Sequence, residues 1–230
     1  WSIGRREAGP GWYFKGTISN LRAYSRALSQ SEIQTLYERG SGDYARPPSE
    51  SDGGVAYYPL DGNADDQWGT NNGTNNGAVF VSSSIRGQAG DFTNDNGDYI
   101  SVPRSPELEP STFTVSVWIN RESQSGEKSQ RVIDKGGNNY GYQITFGNAG
   151  DIDPYKPLGV VGGTFLTPQS DIHSFGEWYH VVLVYDGTTA ALYSNGVLVA
   201  SESTSMSYDG RDLYIGQRDD GAKHYDGLVD

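Results

Sequence analysis

Short segments in which apolar and polar residues alternate recur along this 230-residue chain, and glycine-containing turns separate them. Residues 113–119 place Phe, Val, Val and Ile at every second position, as in a strand with one buried face. Residues 178–185 form a denser apolar run that is typical of a central strand. Asn195-Gly196, between two apolar segments, is a strong signal for a two-residue hairpin. The pattern predicts an all-β protein, an antiparallel sandwich of short strands.

The composition agrees with a turn-rich sandwich and argues against several classes of protein. The chain has 31 glycines, 16 tyrosines and 5 tryptophans, and so many aromatic residues argue against intrinsic disorder. No segment approaches the roughly 20 consecutive apolar residues of a membrane-spanning helix. The net charge of -12 argues against nucleic-acid binding and suits calcium, which prefers oxygen ligands. The absence of cysteine excludes disulfides and thiolate metal sites.

The end of the chain repeats its beginning. Residues 1–18 read WSIGRREAGPGWYFKGTI, and residues 213–229 read LYIGQRDDGAKHYDGLV. The matches follow one order with a one-residue gap: Ile3-Gly4 with Ile215-Gly216, Arg6 with Arg218, Glu7 with Asp219, Gly9 with Gly221, Tyr13 with Tyr225 and Gly16 with Gly227. This order indicates two copies of one structural segment. Because the chain also begins at Trp1 without methionine, we expect a piece of a longer tandem protein whose targeting signal lies outside it.

The segment after the first copy is interpreted as a strand and a short helix. Residues 17–24 favour a strand, and Ser29 with Glu32 forms the Ser-x-x-Glu pattern of a capping box. Gly40 can end the helix, and the apolar positions between lie on one helical face: Ile33, Leu36 and Tyr37. Residues 41–54 are rich in Gly, Pro and Ser and are predicted to be a linker.

Five ordered blocks carry a family resemblance. They are VAYYPLDGNADD (55–66) with NNG (71–73), GDF (90–92) through DYISVP (98–103), FTVSVWI (113–119), EWYHVV (177–182) followed by DG (186–187) and LYSNG (192–196), and GTI (16–18) with RAYSRALS (22–29) and EI (32–33). Together they resemble bacterial laminin-G-like modules of the concanavalin-A-like superfamily. The resemblance implies an antiparallel jelly-roll β-sandwich with one short helix, located outside the cell or on its surface. The closing block stands first here, which departs from the family order.

The resemblance also predicts how the chain is divided. Residues 1–40 close one module, and residues 55–230 form a module without its own closing strand. We expect residues 17–37 to fill that strand position, either within the same chain or in a neighbouring one. Exchange between neighbours would not close on itself and would generate filaments. The linker is long enough to favour filling within the chain, and packing of the segment as an independent appendage is the third arrangement.

An oxygen-rich turn, DGNADD at residues 61–66, is the best candidate for a metal site. Its short side chains and glycine expose many oxygen atoms, which are the ligands that calcium prefers. Turns of Asp, Asn and Gly are also common without any metal. The family resemblance implies a structural calcium site where the first and last strands meet, with ligands from Asp61, Asn63, Asp66 and Asp230.

Carbohydrate binding requires exposed aromatic faces beside polar donors and acceptors. Four aromatic residues stand in loop-like, polar sequence contexts and are predicted to contact a glycan: Trp68, Tyr140, Tyr142 and Tyr155. Trp118 and Trp178 lie within strand patterns and are predicted to belong to the core. The amides of residues 71–76 read mainly as a loop, although they could meet sugar hydroxyls.

Catalysis has no support in the sequence. There is no Gly-x-Ser-x-Gly motif, and His180 is interpreted as a structural residue. Glu107 and Glu109 alternate, but they flank prolines outside any predicted strand, unlike the paired carboxylates of glycosidases. Two functions remain open. One is an extracellular, non-catalytic module that binds a carbohydrate or a cell surface and contains structural calcium. The other is a structural unit that assembles head to tail with copies of itself, by strand exchange, into a filament or surface layer.

Overall fold

The computed structural model describes residues 2–3, 16–40, 53–82, 85, 87–93, 97–122, 130–137, 139–147, 156–170, 173–218 and 227–229. The strands are β1 (Ser2–Ile3), β2 (Gly16–Tyr24), β3 (Gly54–Tyr58), β4 (Thr74–Asn76), β5 (Val79–Ser82), β6 (Gln88–Phe92), β7 (Tyr99–Val102), β8 (Phe113–Asn120), β9 (Gln130–Lys135), β10 (Tyr142–Phe146), β11 (Pro157–Val161), β12 (Thr164–Leu166), β13 (Trp178–Tyr185), β14 (Thr189–Ser194), β15 (Val197–Ser203), β16 (Leu213–Ile215) and β17 (Gly227–Val229). The α-helix α1 spans Gln30–Gly40, and a 3-10 helix spans Pro106–Leu108.

The strands form two sheets with the main hydrophobic core between them. The eight-stranded sheet has the order β12-β11-β10-β9-β16-β1-β7-β4. The nine-stranded sheet has the order β15-β14-β13-β8-β17-β6-β2-β3, with β5 beside β6. Alternate residues of the strands enter the core, as in β8 and β10: Phe113, Val115, Val117 and Ile119, and Tyr142, Ile144 and Phe146. The predicted antiparallel β-sandwich with one helix is confirmed.

The predicted hairpin joins β14 to β15. Ser194 pairs with Val197, so two residues form the turn. Those residues, Asn195 and Gly196, have φ angles of 47° and 79°. Positive φ at both central positions is what a type I′ turn requires, and this turn matches the right-handed twist of the strands. The local sequence therefore sets the register of this hairpin.

Strand β2 pairs with three other strands of the nine-stranded sheet. Its residues 16–18 pair with β6, and its residues 21–24 pair with β3. The opposite edge pairs with β8 from Thr17 to Tyr24. All three pairings are antiparallel, and Ile18 and Leu21 of β2 are 0% and 1% exposed in the core. The first described closing segment is thus an interior strand of this sheet.

Helix α1 begins at the predicted capping box. The Ser29 backbone N–H donates to Glu32 Oε2 at 2.8 Å, and the Glu32 N–H donates to Ser29 Oγ at 3.4 Å. The Arg26 guanidinium also donates to both carboxylate oxygens of Glu32, at 2.6 and 3.2 Å. Hydrogen bonds from Arg26 and from the Ser29 backbone lower the pKa of Glu32 to about 2. The capping box therefore supplies hydrogen-bond partners to backbone N–H groups at the start of the helix, and the negative charge of Glu32 is stabilised there.

The apolar face of α1 packs on the outer surface of the nine-stranded sheet. Ile33 and Leu36 are buried against Val182 and Val184 of β13, together with Tyr24 of β2. This second, smaller core attaches the helix to the sandwich. Strand β3 begins at Gly54, so the last residue of the predicted linker is already in the sheet, while residues 41–52 lie outside the described residues.

Replacement of Ser29 by alanine should destabilise the protein by about 1 kcal/mol, because one backbone N–H of the helix loses its partner. Chemical denaturation of the wild-type chain and of Ser29→Ala measures this difference. Ser207→Ala is the matched control, since Ser207 is an exposed serine in a loop. Equal unfolding free energies for Ser29→Ala and the control would contradict a stabilising capping box.

Candidate functional site

The turn that follows β3 is organised by the buried carboxylate of Asp66, which is 6% exposed. Its Oδ1 accepts hydrogen bonds from the backbone N–H groups of Tyr57 and Trp68, at 2.9 and 3.0 Å. Its Oδ2 accepts from the backbone N–H and the side-chain amide of Asn71, at 3.2 and 3.4 Å. A carboxylate that accepts several backbone N–H groups fixes the path of a loop. Asp66 therefore holds residues 66–71 against the end of β3.

Trp68 is placed by this loop on a support of aromatic rings. Its ring lies 5.9 Å from the ring of Tyr24 in an edge-on arrangement and 5.3 Å from the ring of Tyr57. Gly54 lies directly beneath it, since a Cβ at that position would stand only 2.6 Å from two carbon atoms of the indole. Trp68 is half-buried, so part of its surface stays accessible while its orientation is fixed.

Two adjoining clefts open beside Trp68. The first has a volume of about 370 Å³ and is lined by Gly54, Val55, Trp68, Gly69, Thr70 and Glu107. The second has a volume of about 270 Å³ and is lined by Thr70, Asn71, Asn72, Pro103, Arg104, Ser105 and Glu107. Thr70 and Glu107 belong to both. We call the two together the Trp68 cleft.

The polar side of the Trp68 cleft comes from the segment around the 3-10 helix. Ser105 caps this helix by accepting the Glu107 N–H at 3.3 Å, and Pro106 occupies its first turn. The exposed Glu107 carboxylate accepts a hydrogen bond from the Asn71 amide at 3.2 Å. The cleft thus combines an aromatic ring with carboxylate, amide, hydroxyl and guanidinium groups. This is the set of groups that binds the apolar face and the hydroxyls of a sugar.

An ionic network that is buried at Lys135 and Glu109 but exposed at Arg104 lies behind the cleft. Glu109 accepts from Arg104 Nη2 at 2.9 Å and from Lys135 Nζ at 2.6 Å. Burial raises the pKa of Glu109, but the hydrogen bonds from Arg104 and Lys135 outweigh it and hold the pKa below its ordinary value. Lys135 is 1% exposed and also donates to the carbonyl of Arg211. The carboxylate of Glu109 is therefore used to hold Arg104 at the cleft.

The structure separates the four predicted glycan-binding aromatics. Trp68 lines the cleft, whereas Tyr140 is 44% exposed and lines neither part of it. The prediction for Tyr142 is wrong: it begins β10, is 1% exposed and packs 4.3 Å from Phe113 in the core. Its ring has no surface left for a sugar. Tyr155 lies outside the described residues.

The predicted calcium ligands have other partners in the described part of the chain. Asp61 Oδ1 accepts the Gln88 N–H at 2.6 Å, and Asn63 Oδ1 accepts the Asp65 N–H at 3.0 Å. Both oxygens of Asp66 are engaged as described above. Among the described residues there is no group of three or more His, Cys, Asp or Glu residues that could hold a metal ion. Asp230 lies outside those residues, and calcium stays a prediction.

His180 has the surroundings of a structural residue. It is 1% exposed, its Nε2 lies 2.8 Å from Ser116 Oγ, and its ring stacks on Trp118 at 5.2 Å. Trp118 is buried as predicted, but on the outer face, where its ring stacks on Tyr37 of α1 at 5.8 Å. Trp178, also predicted to be core, is only half-buried. Burial, with a smaller contribution from the charge of Arg22, lowers the pKa of His180 to about 3.

Sequence reasoning missed Glu107 and Arg104 as site residues. In the sequence, Glu107 only flanks a proline outside any predicted strand, yet that proline starts the helix that places Glu107 in the cleft. The Ser105-Pro106 pair, typical of a helix start, was the available signal. The cleft also depends on loops that are distant in sequence, and one sequence without a structure does not bring them together.

The family can now be stated from the comparison with known proteins. The sequence model of the concanavalin A-like lectin/glucanases superfamily, of laminin-G type, matches residues 94–230, more than half of the chain. The chain belongs to this family. Of the two main residues of the cleft, Glu107 lies within the region that matches the laminin-G-type model, and Trp68 lies before that region. No curated protein sequence matches the chain.

The comparison with solved structures found several that are similar to parts of this chain. Domain 4 of AbnA, a GH43 extracellular arabinanase from Geobacillus stearothermophilus, in complex with arabinotriose, gives a TM-score of 0.55 at 17% identity, covering 71% of this chain and 82% of that one. The carbohydrate-binding module CBM66 from Bacillus subtilis gives 0.37 at 16% identity, covering 61% and 85%. A putative carbohydrate binding protein from Bacteroides ovatus gives 0.36 at 11% identity, covering 88% and 63%. The similarity to domain 4 of AbnA supports the shared fold.

No helix among the described residues is long and apolar enough to cross a membrane.

Stability should decrease as the pH falls from about 7 to about 5, because His180 in the unfolded chain gains a proton near its ordinary pKa of about 6.5 and the folded protein does not. The unfolded state then binds more protons, so acid favours it. Thermal unfolding across this pH range measures the slope. His180→Gln should be less stable at pH 7 and should show a smaller slope. The same slope in both proteins would mean that His180 is not the titrating group.

Proposed function

We propose that this chain is an extracellular, non-catalytic module that binds carbohydrate in the Trp68 cleft. The observation that carries the proposal is the fixed, partly exposed indole of Trp68 beside the exposed carboxylate of Glu107. An indole face covers the C–H groups of a pyranose or furanose ring, and a carboxylate accepts hydrogen bonds from two neighbouring hydroxyls. The two groups together would orient one sugar residue.

The rest of the cleft suits a short oligosaccharide. Its two parts meet at Thr70 and Glu107, so a second sugar residue would lie beside Asn71, Asn72 and Arg104. Amide and guanidinium groups donate to hydroxyl oxygens, which complements the acceptor role of Glu107. The arabinotriose bound by domain 4 of AbnA makes arabino-oligosaccharides a sensible first probe for this chain.

A non-catalytic role is supported by the surroundings of the acidic residues in the cleft. Hydrolysis of a glycosidic bond by the common mechanisms requires two carboxyl groups that flank the bond. Glu109 is engaged by Arg104 and Lys135, and this leaves Glu107 as the carboxylate that lines both parts of the cleft. One available carboxylate among the described residues that line the cleft fits recognition of hydroxyl groups better than acid–base catalysis.

Trp68→Ala should weaken binding at least tenfold, about 1.4 kcal/mol, because the stacking surface is lost. Isothermal titration with arabinotriose, preceded by a glycan array to find tighter ligands, measures this change. Gly54→Ala should weaken binding as well, because its Cβ would displace the indole. Tyr140→Ala is the matched control, since Tyr140 is an exposed aromatic outside the cleft. Unchanged affinity for both cleft variants, or a silent array, would contradict the proposal.

We also propose that calcium stabilises the turn at residues 61–66. The support is the exposed position of Asp61 and Asn63 beside the buried Asp66, in a chain of net charge -12. A bound ion would rigidify the loop that places Trp68. Asp66 is excluded as a test position, because its loss would disrupt four hydrogen bonds whether or not a metal binds.

Millimolar calcium should raise the melting temperature above that measured with chelator, since a ligand that binds only the folded state stabilises it. Asp61→Asn should reduce this shift. Glu202→Gln, an exposed acidic position on β15, is the control for unspecific charge effects. Equal melting temperatures in calcium and in chelator would contradict the proposal that calcium stabilises this turn.

The alternative function predicted from the sequence, head-to-tail assembly into a filament or surface layer, stays a prediction. It requires a strand position that a second molecule can enter, and it is independent of carbohydrate binding.

A further inference from the structure

Strand β6 has one edge that two different segments use. Its other edge pairs with β5, where Val79 faces Asp91 and Phe80 faces Gly90. On the shared edge, Thr17 of β2 and Leu228 of β17 both face Asp91. Each backbone N–H and C=O in a ladder forms one interstrand bond, so one register on one edge accommodates one strand. The two segments are therefore alternative occupants of a single position.

The same coincidence occurs at two further positions, one on β8 and one on β9. Ile119 of β8 faces both Ile18 of β2 and Val229 of β17. In the eight-stranded sheet, Asp134 of β9 faces Ser2 of β1 and Tyr214 of β16. These are the positions that the sequence repeat aligns, with Gly16-Thr17-Ile18 matching Gly227-Leu228-Val229. Both the sequence and the strand register thus assign two segments to one place in the sandwich.

We propose that the position between β6 and β8 is a strand-accepting site for either copy of the closing segment, and that a second molecule of this chain is its partner. We call this position the closing slot; its walls are residues 90–92 of β6 and residues 118–120 of β8. A chain with one slot carries two segments that fit it. Whichever segment is in the slot, the other is displaced and can enter the slot of another copy.

The chemistry of the slot explains why it does not discriminate strongly between the copies. Recognition is mostly by backbone hydrogen bonds, which any extended segment can supply. Both copies begin with glycine and end with a β-branched residue, Ile18 or Val229. Ile18 is 0% exposed at the position facing Ile119, so an aliphatic side chain is required there.

The identity of the occupant also affects the Trp68 cleft. Beyond the slot, β2 continues into Leu21–Tyr24, which pair with β3, and Tyr24 supports the ring of Trp68. A molecule whose slot holds β2, from its own chain or from a neighbour, therefore keeps this wall of the cleft. Strand donation is therefore compatible with ligand binding in every copy whose slot holds β2.

Disulfide trapping tests the proposal, because the chain contains no cysteine of its own. The full-length double variants Thr17→Cys/Asp91→Cys and Leu228→Cys/Asp91→Cys place cysteines opposite each other in the two alternative pairings. Facing residues of an antiparallel pair lie within disulfide reach. Mild oxidation should give an intrachain disulfide in both variants, which peptide mapping identifies.

Exchange between molecules is tested by mixing single-cysteine variants. Thr17→Cys and Asp91→Cys chains, unfolded and refolded together at high concentration, should form a disulfide-linked dimer of two 25.0 kDa chains. Thr17→Cys mixed with Asn120→Cys repeats the test on the β8 side of the slot and remains informative if Asp91→Cys folds poorly. Glu202→Cys, exposed on β15, mixed with Asp91→Cys controls for random oxidation.

Two results would overturn the proposal. Absence of the 228–91 disulfide in monomer and dimer, when the 17–91 disulfide forms, would show that only one copy enters the slot. If the mixed dimers are no more abundant than in the Glu202→Cys control, a second molecule does not donate a strand to the slot. A carbohydrate-binding result of either sign leaves both readouts unchanged.

Discussion

The pairing of β2 on both of its edges is the constraint on which most of the described structure depends. One edge pairs with β8, and the other pairs first with β6 and then with β3. Removal of β2 would leave the backbone groups of β3 unsatisfied, together with those of β6 and β8 wherever β17 did not take its place, and would uncover the core around Ile18 and Leu21. It would also detach α1, which follows β2 and covers the outer face of β13. Strand β2 is thus held both by the burial of its apolar side chains on the two faces of the sheet and by the backbone hydrogen bonds along its two edges.

The same strand connects the core with the candidate site. Tyr24 ends β2, packs in the small outer core under α1, and supports the indole of Trp68. Asp66 supplies the second support by accepting N–H groups from β3 and from Trp68 itself. A rigid aromatic ring that is held from two sides loses little conformational entropy when a ligand binds. The geometry of the cleft is thus set by packing well outside it.

Much of the fold was readable from local sequence signals. The alternation in β8, the dense run in β13 and the Asn195-Gly196 turn each contain enough information to define an element. The capping box predicted the start of α1 because its hydrogen bonds are local, between residues three apart. These signals do not depend on distant parts of the chain, which is why they were reliable.

The site was less readable, for physical reasons. Tyr142 stands next to glycines and polar residues, which resembles a loop, but it starts a short strand whose polar Gln143 and Thr145 are also buried. Because both faces of this strand are buried, it lacks the clear alternation of apolar and polar residues from which a strand can be recognised in the sequence. The role of Glu107 was missed because a cleft between loops is a tertiary property. The turn at residues 61–66 is ambiguous for another reason. The side-chain oxygens that suggest calcium binding also accept hydrogen bonds from backbone N–H groups.

The ladders on both sides of β2 have a mechanical consequence. Tension applied between the ends of this strand acts parallel to the strand and shears two rows of interstrand hydrogen bonds at the same time. Bonds loaded in this way resist together, whereas bonds at a frayed hairpin end open one after another. A protein built with such a strand would bear pulling forces along the direction of β2 and would yield more readily when its edge strand β15 is peeled from β14.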